Sequence, residues 1–85
     1  MVRKTDTLLK IDVEGLLRAI EERYGINIPR KVVMMDYDEE TGSLFIKFMH
    51  EDIVEGEPTE DGLVILHFSR NGDIVAVEIT DISLL

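Results

Sequence analysis

The spacing of the apolar residues changes once along this chain, and the change falls at Pro29. Before it, Val13, Leu16, Leu17, Ile20 and Tyr24 recur in the one-three-four-seven pattern that lines a single face of a helix. Glu14, Arg18, Glu21, Glu22 and Arg23 fall mostly away from that face. After Pro29, β-branched and aromatic residues recur at about every second position, the repeat of half-buried strands. One helix followed by strands implies an α+β protein.

The ends of the predicted helix, 12–25, carry their own signals. Asp12 is a natural N-cap, because its carboxylate accepts a free backbone N–H of the first turn. Gly25 adopts the left-handed C-cap conformation readily, and Pro29 bars the helix from resuming. Residues 1–7 read as a frayed, flexible basic arm, and Leu8 to Ile11 as either a short strand or an earlier helical turn capped by Asp6. Both remain open.

Lys31 to Tyr37 predicts a strand, Asp38 to Gly42 a turn, and Ser43 to Met49 the hairpin partner. Asp52 to Glu57 predicts a short acidic edge strand ending at Pro58, which lacks the N–H a central ladder needs. Leu63 to Phe68 and Ile74 to Ile79 form a second hairpin around Asn71-Gly72. A two-residue turn places Val64, Leu66 and Phe68 opposite Ile79, Val77 and Val75, and so gives one coherent apolar face. The expected architecture is a single domain over 1–85. Its N-terminal amphipathic helix packs on one face of a four- to five-stranded antiparallel β-meander spanning 30–80, with Leu16, Leu17 and Ile20 near Leu66 and Val77.

One helix covers one face. Yet Ser43 to Met49 is apolar on both sides of the pleat, and Ile65 and Ile74 are assigned to the uncovered side. Phe45, Lys47, Met49, Ile65 and Ile74 are therefore the candidate interaction surface. The C-terminal Ile82, Leu84 and Leu85 add further apolar area.

Composition narrows the class. The chain has 85 residues, 45% hydrophobic and 32% charged, with no Cys and a net charge of −9. That apolar share suits a compact fold, and the absence of Cys excludes disulfides, thiolate metal sites and a Cys nucleophile. No apolar run is long enough to span a membrane. Basic residues outnumber acidic ones through Val33, whereas Lys47 and Arg70 stand almost alone among acids from Met34 onward. Such a domain repels phosphate backbones, so double-stranded nucleic acid is not an expected partner. Absent Gln and scarce Asn hint at a thermophile's cytoplasm.

Tyr37-Asp38, the polar turn, Leu44-Phe45-Ile46, Gly62 to Leu66 and Asn71 to Ile79 together resemble a family of small prokaryotic proteins, the domain of unknown function 2283. The resemblance covers roughly the last fifty residues and departs at His67 and Ser69, where the family tends to carry Asp. It implies no assigned activity. Members sometimes encoded beside toxin-like proteins make an antitoxin-type partner role conceivable.

Few constellations suggest chemistry. His67 and Glu78 lie on adjacent strands and share a face diagonally, a pair suited to general base work or to cross-strand structure. His50 and Asp52, flanking Glu51, invite a metal reading, but strand neighbours point to opposite faces and a solvated loop explains them better. Asp36, Asp38, Glu39 and Glu40 lack the ligand spacing of a calcium loop. Met34, Met35 and Met49 read as core or as an adaptable contact surface. Arg18 and Arg23 read as a solvated helix flank. No cofactor motif is present. The sequence thus points to an interaction or homo-oligomerising module, its partner itself or a small basic protein. The alternative is an enzyme or ligand binder with a site formed between subunits around His67 and Glu78.

Overall fold

A computed structural model describes residues 11–85. The expected basic arm, and residues 8–10 of the ambiguous segment, lie outside the described residues.

Helix α1 spans Val13–Tyr24. The Asp12 carboxylate caps it by accepting from the Gly15 N–H at 3.0 Å. A Cβ on residue 15 would collide with that carboxylate, so the glycine makes room for the cap. Gly25 ends the helix at φ 66° and donates to the Glu21 carbonyl. Leu17 and Ile20 are fully buried, with Val13, Leu16 and Tyr24 packed around them.

Five strands follow: β1 Met34–Asp38, β2 Ser43–Lys47, β3 Glu55–Pro58, β4 Val64–Phe68 and β5 Ile74–Ile79. They form one antiparallel sheet on which α1 packs, so the protein is α+β. The order across the sheet is β1-β2-β5-β4-β3. The strands are therefore not laid down in chain order: a β1–β2 hairpin joins a β3–β4–β5 meander through β5. Burial explains the arrangement. Val75, Ala76, Val77 and Ile79 of β5 are inaccessible to solvent, as a central strand requires. The acidic β1 and the Glu- and Pro-bearing β3 take the edges, where charge and a missing N–H discourage further pairing.

α1 covers a core of Leu44, Ile46, Phe48, Val64, Val77 and Ile79. Ile28 joins it, held by Glu21, which accepts from the Ile28 N–H and the Arg30 guanidinium. A 3-10 helix, Ile82–Leu84, follows β5 and places Ile82 and Leu85 on the same core. The Asp81 carboxylate caps it and lies so near Gly42 that a Cβ there would sit 2.6 Å from its oxygen.

The second hairpin differs from expectation at its tip. The turn is a three-residue Arg70–Gly72 loop, closed by the Ser69 N–H donating to the Asp73 carbonyl at 2.9 Å. Gly72 takes φ 85°. Phe68 accordingly pairs with Ile74, and the ladder shifts register before His67 meets Ala76. Further in, Leu66 faces Val77 and Val64 faces Ile79, the register the apolar pattern predicts. Turn chemistry decides the tip, and core burial decides the body. Val75 is the extra residue that reconciles them.

Candidate functional site on the open sheet face

Among the described residues, α1, the Ile26–Ile28 segment and the 3-10 helix pack on the core side. The alternation of strand residues defines what the opposite side carries. One row across it reads Asp36, Phe45, Glu78, Ile65 and Pro58; the next reads Met34, Lys47, Ala76, His67 and Gly56. Phe45, Lys47 and Ile65 thus lie where the sequence places them. Ile74 does not: the bulge at Val75 carries it across to the core. Met49, part-buried, follows the end of β2.

At the centre of this face stands His67. Its ring meets Phe45 edge-on, with centroids 5.7 Å apart and planes inclined by 62°. On the β3 side it is covered by Gly56, where a Cβ would lie 3.3 Å from Nδ1. Glycine lets the edge strand close over the imidazole. Toward β5, Nε2 lies 3.6 Å from Glu78 Oε1, beyond a hydrogen bond but within reach of an ion pair. That nitrogen is buried and has no hydrogen-bond partner among the described residues. His67 and Glu78 are therefore brought together, whereas no Ser or Thr hydroxyl shares their two rows.

His50 and Asp52 sit elsewhere, exposed on the 48–54 crossover that runs past the Ser69–Arg70 end of the second hairpin. The open cleft there measures about 460 Å³. Among the described residues no group of three or more His, Cys, Asp or Glu side chains gathers to hold a metal ion.

The chain matches the family model for a protein of unknown function, DUF2283, over residues 34–83. It belongs to that family. The DUF2283 match takes in the whole sheet and most of the 3-10 helix but not α1. No curated protein and no solved structure matches the chain. Among the described residues no helix is long and apolar enough to cross a membrane.

One polar cluster escaped sequence reading. Asp61, in the β3–β4 turn, accepts from Tyr24 Oη at 2.9 Å, Arg23 Nε at 3.1 Å, Thr59 Oγ1 at 2.7 Å and the Leu63 N–H at 3.0 Å. Arg23 is thus a latch between helix and sheet, not a free flank. The Leu63 N–H, then the hydroxyls of Thr59 and Tyr24 and the Arg23 guanidinium, hold the Asp61 carboxyl well below the usual carboxylate range. Gly62 reads as a turn glycine in sequence, but nothing local to Asp61 announces partners nearly forty positions earlier.

Proposed function

We propose that this protein is a self-associating module that dimerises through the sheet face opposite α1. The supporting observation is the mixed character of that face within an acidic molecule. The Phe45 and His67 rings meet edge-on, Glu78 of the central strand stands between Phe45 and Ile65, and Lys47 lies beside Phe45 on β2. Elsewhere on the sheet and its turns, acids dominate: Asp38, Glu39 and Glu40 beside β1, Glu55 and Glu57 on β3. Two copies at net charge −9 repel through most of their surfaces. Here a two-fold axis sets Lys47 of each copy toward the other's carboxylates, and a self-complementary patch serves both.

The area bounds the strength. Five strands at about 4.8 Å spacing and five residues at about 3.4 Å give roughly 400 Å² in projection. Standard stable interfaces bury about 800 Å² per partner, so a weak, concentration-dependent dimer is expected. The Cys-free, charge-rich composition fits a cytoplasmic setting, and the acidity disfavours double-stranded nucleic acid as a partner.

Light scattering on the full chain, followed by Phe45→Asp, tests the reading. A dimer that becomes a monomer with its far-ultraviolet circular dichroism unchanged supports it. A wild type that stays monomeric at high concentration rejects it. So does a Phe45→Asp chain that simply unfolds, because the face is then covered from within the chain.

A second reading has its own support in the unpartnered Nε2 of His67. A ligand or substrate bound between subunits would give that nitrogen a partner beside Glu78, which faces the same atom. Screening small acids and amides for a thermal shift that vanishes in His67→Ala tests it.

A further inference from the structure

We infer that association through the open face takes up a proton on His67, so that the dimer tightens as pH falls from 8 to 6. The inference rests on the self-association proposed above and adds its regulation.

The imidazole is fixed in place. Gly56 covers one side, Phe45 meets the ring edge-on, and the side chain is 18% exposed. It cannot swing out to satisfy Nε2 with water without leaving that cradle. The nearest acceptor is Glu78 Oε1, 3.6 Å away, so the pair is an ion pair only when the ring is protonated. In the free chain this matters little, because the Glu78 side chain is 34% exposed and water screens its charge. A second copy laid on the face strips that water away. A carboxylate so desolvated needs a counter-charge, and an imidazolium already in place supplies it.

The surrounding charges agree. β5 presents Glu78 toward His67. From β2 the facing charge is Lys47, in register with Ala76 and one strand removed from the imidazole. β3 presents Gly56 and Pro58, while its Glu55 and Glu57 alternate to the other side. Asp36 lies at the far edge on β1, across from Phe45. Among the described residues, the basic groups beside Glu78 on its two neighbouring strands are Lys47 on β2 and His67 on β4, each diagonal to it.

The window from pH 8 to 6 isolates the effect. Histidine and α-amino groups are the types whose charge ordinarily changes there, and the chain has two histidines, His50 and His67. Sedimentation equilibrium of the full chain at both pH values and constant ionic strength reads the dissociation constant. The wild-type value should fall about tenfold per pH unit for each proton fully coupled to association. His67→Gln should abolish that dependence, and His50→Gln should retain it. A His67→Gln dimer that tightens as strongly as wild type overturns the inference while leaving the dimer intact. A wild type that is monomeric at both pH values overturns the self-association itself. A second measurement does not depend on the variant folding: in wild type, the His67 ring proton resonances should move at a higher pH in concentrated than in dilute samples. Identical titrations at both concentrations also overturn the proton uptake.

Discussion

Asp61 shows how one side chain joins distant parts of the fold. Its five hydrogen bonds, counting both Tyr24 contacts, tie the last turn of α1 to the turn before β4. Because its carboxyl is held below the ordinary value, the anion is favoured in the folded state. That stabilisation is present above the unfolded carboxyl's pKa of about 4 and is lost as pH falls through the folded value. Asp61→Asn should lower the melting temperature at pH 7, and the gap from wild type should narrow progressively below about pH 4. A gap that is constant with pH would show that packing, not charge, holds the latch. Gly42 is a second residue-scale test. At φ 77° and with Asp81 beside it, Gly42→Ala suffers both left-handed strain and collision. A loss of about 1–3 kcal/mol in chemical denaturation is expected. The caps at Asp12 and Gly25 were legible because their partners are local. The roles of Gly42, Gly56 and Asp61 were not, since each depends on a neighbour from a remote strand or helix.

Elements were legible in proportion to how strongly their apolar pattern repeats. α1 is the clearest case, and its boundaries Val13–Tyr24 follow from one uninterrupted face and two caps. Leu17 lies at the middle of that face and is 1% exposed. Leu17→Ala should cost about 2–5 kcal/mol, the transfer loss plus the cavity left in the core it shares with Leu44 and Val77. Denaturant titration with an unchanged m-value is the check, and a near-zero loss would mean the helix does not seal the core. The second hairpin was legible in its body and not at its tip. Asn71-Gly72 signals a tight turn, but Ser69 closes a longer loop with its backbone and accepts from the Asp73 N–H through its hydroxyl. The one-residue surplus is absorbed at Val75, and Ile74 crosses to the core as a result. A bulge is invisible to alternation, because alternation assumes that no residue is extra.

At the scale of the whole molecule, strand order was the least legible feature. Hairpins are local, but the β2–β5 pairing that unites them joins Leu44 to Ile79 across thirty-five positions. Only the competition for the most buried place decides it, and β5 wins that place through four inaccessible side chains. The family match raises a related question, because it spans 34–83 and leaves α1 out. The matched stretch of this chain holds the whole sheet, yet the sheet's core face does not close by itself. Leu17 and Ile20 are fully buried, and Val13, Leu16 and Tyr24 partly so. At about 1.5–3 kcal/mol per fully buried side chain, the five together contribute roughly 6–10 kcal/mol. A chain of this length has a net stability of about 4–13 kcal/mol, so the apolar burial lost with α1, before the entropy regained by its residues, is of the same order as the whole margin. Residues 32–85 expressed alone should therefore lack cooperative unfolding and show poorly dispersed amide resonances. The full chain, in the same buffer, should melt in one transition. If the truncated sheet instead melts cooperatively as a dimer, and Leu44→Asp rather than Phe45→Asp separates it, then the core face pairs when α1 is gone. A cooperative monomer would mean that the sheet needs no cover at all and that α1 serves something other than closing the core.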